Sequence, residues 1–339
     1  MIRHVAGATV LPEGPYDADI IILTLGRVED TIAAISSALA QTGVSRHVTV
    51  LDQGSRNADL ARLAAAIDGR QDATLLRADG NLGVAEGRNQ ATAFGHGRAI
   101  VALDNDAVFA APDTVARLAA GLDAAPDLAA IGCRIVRFND GADDLTSWGY
   151  PSSLLPLSAG SFEAATFVGA GHAIRRSAWN AVGGYDKALF FCWEEFDFCL
   201  RAIALGWRVM YRGDLAVRHK VAAEARVAWS DARWFHFVRN RLYVGRKSGD
   251  TWLALAPRIA GYALKGALNG LPRQTLRGIA AAVRMAEAVR PTPLPDRAQA
   301  YLTRCDRVWR GSWLRRLRAE VLVKLTRPHS APAGRRHPA

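Results

Sequence analysis

Three features carry side chains that do chemistry at short spacing. Asp104-Asn105-Asp106 places two carboxylates within one turn. Such a pair can hold a hard divalent cation, Mg2+ or Mn2+, through oxygen, and leaves positions for water and for substrate phosphate oxygens. The cation would offset charge growing on a departing diphosphate. The same tripeptide is also at home in an ordinary turn, where Asp and Asn bond the local backbone. Glu194, Glu195 and Asp197 form the second feature. At the start of a helix the dipole favours ionised carboxylates, while mutual repulsion raises at least one pKa. A carboxylate so placed can accept a hydroxyl proton. The alternative is a charged helix start in which Glu194, Asp197 and Arg201 pair along one face. Arg88 is the third, a planar donor suited to phosphate oxygens or a cation on a helix surface.

The elements that must position these residues follow from periodicity. Asp19 to Leu25 is a short apolar, β-branched run and predicts a buried strand. Asp30 opens a helix with Ile32, Ile35 and Leu39 on one face, ended by Gly43. Val48 to Leu51 predicts a second strand, closed by Asp52-Gln-Gly-Ser55. Leu60, Leu63 and Ile67 mark a helix, Thr74 to Arg77 a strand, 84–97 a helix and Ala99 to Leu103 a strand. Pro112 starts the next helix. This alternation predicts an α/β fold with a mostly parallel sheet and helices on both faces. Ligands then bind at the carboxyl ends of the strands, where Thr24, Asp52 and Asp104 to Asp106 fall. Residues 140–165 read as a loop or lid, Glu194 to Leu205 as a helix, and Trp207–Tyr211 and Leu215–Arg218 as two strands.

The chain has 339 residues, half of them apolar, enough for one large domain or a domain with an extension. Its net charge of +11 is unevenly spread. Residues 220–339 hold 24 Lys+Arg against 7 Asp+Glu, so a strongly basic tail follows an acidic body. Apolar and basic residues alternate at helical spacing through 251–289. Such helices can lie in an anionic membrane interface or form an amphipathic bundle on the rest of the chain. No nucleic-acid module is present. Cys133, Cys192, Cys199 and Cys305 lack zinc spacing and suit a reducing compartment. No signal peptide and no spanning run of about 18 apolar residues is expected.

With these features in place, the chain resembles the inverting glycosyltransferases of family two, of the GT-A fold, over about residues 19–247. Val50-Leu-Asp52-Gln-Gly-Ser55 is similar to the family's Val-x-Asp-x-Gly-Ser segment. Asn81-Leu-Gly83-Val-Ala-Glu-Gly-Arg88-Asn89 is similar to its Asn-x-Gly-x-x-x-x-Arg-Asn segment, and Leu103-Asp-Asn-Asp106 to its metal-binding Asp-x-Asp. Gly169-Ala-Gly171, Gly183-Gly-Tyr-Asp186 with Phe190 to Arg201, Val217-Arg-His219 and Arg239-Asn-Arg-Leu-Tyr243 resemble later segments in the same order. Two positions depart from the pattern. The turn after the first strand is Thr24-Leu-Gly-Arg27, and residue 195 is Glu where the family usually carries Asp.

The resemblance implies a GT-A catalytic domain over 19–247, with a Rossmann-like mixed sheet. An N-terminal segment 1–18, a helical extension 248–325 and a disordered tail 326–339 complete the chain. It implies transfer of a sugar, with inversion, from a UDP- or dTDP-linked donor to a hydroxyl of a glycan or lipid-linked acceptor. Asp104, Asp106 and His219 would hold Mg2+ or Mn2+. Thr24, Asp52, Asn81, Gly83, Arg88, Asn89, Asp104, Asn105, Gly169 and Gly171 would bind the donor, with Asp52 on the uracil or thymine base. Glu195 would be the base, with Asp197 and Glu194 behind it. It further implies polysaccharide or cell-envelope assembly, a cytoplasmic location that extends to the inner membrane face, and the option of a homo-oligomer. A sugar nucleotidyltransferase would need a Gly-rich loop ending in a cation after the first strand, of which Thr24-Leu-Gly-Arg27 is a poor version. A dehydrogenase would need G-x-G-x-x-G, which is absent. A degenerate, membrane-bound scaffold is the non-enzymatic alternative, and the retained acids argue against it.

Overall fold

The structure is a computed structural model that describes residues 1–220, 231–312, 321, 322 and 325. The expected tail 326–339 lies outside the described residues. Ten strands form one mixed sheet: β1 Ile2–Gly7, β2 Ala18–Thr24, β3 Arg46–Asp52, β4 Ala73–Ala78, β5 Ala99–Asp104, β6 Ala107–Phe109, β7 Leu128–Arg137, β8 Ser161–Glu163, β9 Gly171–Arg175 and β10 Arg208–His219. Their order is β1-β4-β3-β2-β5-β9-β7-β10-β6, with β8 on β10. The helices are α1 Val28–Leu39, α2 Asn57–Ile67, α3 Gly83–Ala93, α4 Thr114–Asp123, α5 Arg176–Val182, α6 Glu194–Ala204, α7 Asp231–Lys247, α8 Trp252–Leu268, α9 Pro272–Glu287 and α10 Asp296–Leu302.

The parallel part is β4-β3-β2-β5. Its strands read as continuous apolar runs because helices cover both faces. Ile20, Ile21 and Ile22 of β2 are at most 2% exposed, and each contributes about 1.5–3 kcal/mol by burial. The chain leaves β2 for β3 and β4, then returns through α3 to β5 on the other side of β2. That reversal opens a crevice beyond the carboxyl ends of β2 and β5, where ligands of such sheets bind.

Beyond β5 the sheet departs from the expected parallel pattern. β9 runs antiparallel between β5 and β7, and β10 is parallel to β7. The two short strands expected over 207–218 are one strand. Its register slips between Arg212 and Ala216, where Gly213 donates to the Gly160 carbonyl at 2.7 Å. The N-terminal segment contributes β1, antiparallel on the β4 edge. The expected lid is ordered. Trp148, Tyr150 and Phe162 cluster on Tyr211, with Tyr150 buried.

Among the described residues, α7, α8 and α9 share a small core of Trp234, Val238, Leu242, Leu255, Leu271 and Ala282. The indole of Trp234 donates to Thr275 Oγ1 at 2.8 Å. No helix of the described residues is long and apolar enough to cross a membrane.

Candidate active site

The end of β5 and the end of β10 build the first cluster together. After Asp104 the chain turns through Asn105 and Asp106 into β6, which pairs antiparallel with β10. The register sets His219 opposite Ala107. This brings Asp106 Oδ1 to 3.3 Å from His219 Nε2. Ligand atoms of Asp104, Asp106 and His219 lie within 4.8 Å of one another. Arg27, in the left-handed conformation at φ 54°, pairs with Asp106 from the turn after β2.

Behind the ring, Asp144 accepts from His219 Nδ1 at 3.1 Å. Burial alone would lower the His219 pKa, but its bonds to Asp106 and Asp144 outweigh this and push it up to about 10. Asp104, Asp106 and the His219 ring would be the groups to hold a divalent cation. A metal needs the neutral ring, so metal entry releases a proton. Two carboxylates and an imidazole oriented by an outer carboxylate fit a divalent metal site.

Arg88 connects this cluster to the second. It is buried on α3, with Nη2 donating to Asp104 Oδ1 at 2.9 Å and to the Gly169 carbonyl at 2.8 Å. Its Nη1 donates to Glu195 Oε1 at 3.2 Å. Burial opposes its charge, but Tyr185, Asp104, Glu195 and Glu194 around it hold its pKa above the ordinary value. The guanidinium expected on a diphosphate therefore spans a candidate metal ligand and the candidate base.

Gly169 leaves the room this requires. A Cβ there would lie 2.4 Å from Glu195 Oε1.

The three acids of α6 have three environments. Burial raises the Glu195 pKa and Arg88 draws it back, and the side chain keeps 15% exposure. Glu194 is buried and its Oε2 has no hydrogen-bond partner. Burial and neighbouring Glu195 push its pKa well up. Asp197 is tied to Arg201 Nε at 2.8 Å and Lys247 Nζ at 2.9 Å. Lys247 also reaches Asp186 at 2.6 Å, so Asp197 belongs to a buried ion-pair network linking α6 to α7.

Several residues expected at the donor make hydrogen bonds within the chain. Thr24 Oγ1 is buried, bonded to Thr31 Oγ1 at 2.8 Å and to the Gly26 carbonyl at 3.0 Å. Asn105 Nδ2 donates to Thr31 at 3.2 Å, which ties the β5 turn to the β2 turn. Asp52 is fully buried, accepting from Ser55 N at 3.1 Å and Arg77 Nη1 at 2.6 Å. A direct contact with a base imide would need one of these partners to give way.

Asn81 caps its own turn through Gly83 N at 2.9 Å. Asn89 holds both the N–H and the carbonyl of Tyr185, each at 2.9 Å. Gly171 faces Val217, whose Cγ2 would lie 2.6 Å from a Cβ. Gly83, at φ +77°, lets the Phe190 carbonyl approach α3, and a Cβ would lie 2.3 Å from it.

Residues to which the sequence reading gives no role of their own also matter. Asp144 lies in a Gly- and Asp-rich stretch where no period points to it. Arg27 appears there only as a departure from the family pattern. Asn240 of α7, fully buried, donates to the carbonyls of Leu189, Phe191 and Cys192, each at 2.8 Å.

The comparisons with known proteins agree with this geometry. Succinoglycan biosynthesis protein ExoO of Rhizobium meliloti is 35% identical over 109 residues, 32% of this chain and 30% of the relative's length. Two solved structures share the fold. A mannosyltransferase from Pyrobaculum calidifontis, in complex with GDP-Man and Mn2+, is 19% identical with a TM-score of 0.53; the match covers 88% of this chain and 81% of that one. GalNAc-T7 with UDP, GalNAc and Mn2+ is 13% identical with a TM-score of 0.56, over 91% of this chain and 59% of that one. Residues 19–183, just under half of the chain and including Arg88, Asp104 and Asp106, match the sequence model of Glycosyl transferase family 2, and the chain shares the GT-A fold of the two solved structures.

Proposed function

We propose that this glycosyltransferase moves a sugar, with inversion, from a nucleoside-diphosphate donor to a hydroxyl of a saccharide acceptor. The observation that carries the reading is Arg88, whose one guanidinium holds both Asp104 and Glu195. It joins the candidate metal cluster to the candidate base through one side chain. A divalent cation held by Asp104, Asp106 and His219 would supply positive charge for the departing diphosphate. The imidazole ligand favours Mn2+ over Mg2+, which prefers an all-oxygen shell. Asp144 holds the His219 ring in the orientation that presents Nε2.

Glu195 Oε accepts the acceptor hydroxyl proton as that oxygen attacks the anomeric carbon. The bond to the diphosphate breaks as the new glycosidic bond forms, and one displacement inverts the configuration. Burial and neighbouring Glu195 push the Glu194 pKa well up, which favours the proton on Glu194 and the negative charge on Glu195, the acid that Arg88 bonds. Related folds carry GDP-Man and UDP, so UDP, dTDP and GDP donors are all to be assayed. The match to a succinoglycan biosynthesis protein supports a growing polysaccharide as acceptor.

A lipid-linked acceptor at the inner membrane face fits the surface of α8 and α9. Leu253, Ala260, Leu264 and Leu268 are exposed along α8, while Arg273 and Arg284 are exposed on α9. An apolar face beside cations suits anionic lipid. Co-sedimentation with anionic but not with neutral vesicles supports this contact, and equal recovery with both removes it. The catalytic reading is tested by NMR of the sugar released or transferred from each donor with Mn2+. Metal-dependent turnover giving the inverted anomer supports it. A retained anomer, or turnover indifferent to metal, overturns it.

A further inference from the structure

The segment that delivers Glu195 is held in a backbone conformation its residues disfavour. Among the described residues, four non-glycine residues have positive φ, and three of them are Phe190 at 62°, Cys192 at 70° and Trp193 at 73°. A Cβ makes that region unfavourable for each. Trp193 is also the residue from which α6 starts, immediately before Glu194 and Glu195. The direction of the first α6 turn, and so the position of the Glu195 carboxylate, depends on these three torsions.

Two elements hold them from opposite sides. On the α3 side, Val84 N donates to the Phe190 carbonyl at 2.6 Å. On the α7 side, Asn240 Nδ2 shares its two protons among the carbonyls of Leu189, Phe191 and Cys192, each at 2.8 Å. Arg239 Nε donates to Asn240 Oδ1 at 2.7 Å, which fixes which end of the amide faces the loop. Arg239 Nη2 adds a bond to the Leu189 carbonyl at 2.8 Å, and the Trp193 indole donates to the Phe237 carbonyl at 3.0 Å. Only a short, uncharged donor fits here. Asp would set a carboxylate against three carbonyls, and Ala would leave buried carbonyls without a donor.

We propose that Asn240 is a positioning residue for the transfer reaction: from α7, its amide imposes the positive-φ loop that sets Glu195 on Arg88. Glu195 and α7 both lie beyond residues 19–183, and the Asn240 amide ties the loop before Glu195 to α7. The inference rests on Glu195 as the base.

The test is a set of steady-state measurements with Mn2+ and the donor the wild type turns over, together with nucleotide affinity. Asn240→Ala is expected to lower kcat about 100-fold, the size of effect a displacement near 1 Å produces. Its affinity for the Mn2+-bound nucleoside diphosphate should stay within about threefold, because the loss falls on the chemical step.

Adding Cys192→Gly should restore kcat about tenfold, since glycine takes positive φ without a Cβ penalty. A merely structural role in α7 predicts no such rescue. A folded Asn240→Ala enzyme with wild-type kcat, or one whose loss Cys192→Gly leaves unchanged, overturns the proposal. If Asn240→Ala does not fold, Arg239→Met replaces it, with a smaller loss of kcat expected and the same rescue required. Glu195→Gln separates the two levels. If it retains wild-type kcat, the base reading fails; if it is inactive while Asn240→Ala is fully active, only the positioning role fails.

Discussion

At the carboxyl end of β5, Asp104 and Asp106 meet three nitrogen partners, Arg88, Arg27 and His219, in a crevice that leaves Asp104 40% exposed. At the start of α6, Glu194, Glu195 and Asp197 are largely withdrawn from solvent, and each is treated differently. Asp197 is paired with Arg201 and Lys247, Glu195 is bonded by Arg88, and Glu194 has an Oε2 without a hydrogen-bond partner. The first cluster gathers charge at a surface, where a divalent cation can take the place of the proton on His219. The second gives three like charges three surroundings, Asp197 in ion pairs, Glu194 raised in pKa by burial and Glu195 bonded to Arg88. Placing titratable groups in environments that push their pKa values apart is how acid and base roles are assigned within one site.

The largest expected effect falls on the acid that Arg88 bonds. Glu195→Gln should lower kcat by about 10³-fold and leave nucleotide affinity nearly unchanged, as read by steady-state kinetics beside calorimetry. Asp144→Asn should act on the other cluster. It removes the carboxylate behind His219 and should weaken Mn2+ binding by about 10–100-fold, measured by metal titration, with the nucleotide-free fold intact. Equal effects of both variants on metal affinity would erase the distinction between the clusters.

Asp197→Asn should cost about 1–3 kcal/mol of stability in thermal melts, because the half-buried Lys247 loses one of its two acids. Its kcat per folded molecule should stay within about twofold. A large loss of kcat there would move Asp197 into the chemistry.

The smallest effect is a pH dependence of stability. His236 of α7 stacks on the Phe190 ring and adjoins Phe235. Burial, with Arg239 adding to it, lowers its pKa to about 4. The folded protein therefore binds fewer protons than the unfolded chain between about pH 4 and 6.5. The stabilising contribution is fully present above 6.5 and is lost as pH falls toward 4. It amounts to about 1–2 kcal/mol once solvent screening is allowed for. Urea melts across that range should show the slope, and His236→Phe should remove it.

Much of the first half of the fold was legible because period and composition agree there. The β2 run of isoleucines, the Leu60–Leu63–Ile67 face of α2 and the turn residues after each strand all point to a βαβ pattern. β7 was not legible. Gly132 and Arg134 interrupt a run of small residues, yet it is a central strand whose partners β9 and β10 lie far along the chain. The continuity of β10 was hidden in the same way, since Gly213 and Asp214 read as a turn although they bulge from one strand.

In the site, residue types were readable and partnerships were not. Asp104, Asp106 and His219 were expected together and are together. Nothing in the spacing of Arg88 shows that it would hold Glu195, 107 positions away. Asp197 and Glu195 differ by two positions on a helix, and only the cations on α6 and α7 decide which is committed to structure. Asn89, expected at the donor, pins the Tyr185 backbone, because its amide matches a peptide's donor and acceptor.

The central claim is that Asp104 and Asp106 bind a nucleoside diphosphate through a divalent cation. Calorimetric titration of UDP, dTDP and GDP, each with and without Mn2+, into the wild type and the Asp104→Ala/Asp106→Ala variant tests it directly. The account predicts binding of at least one nucleotide that requires Mn2+ and vanishes in the double variant. Binding indifferent to Mn2+, or no binding of any of the three by folded wild type, would contradict it.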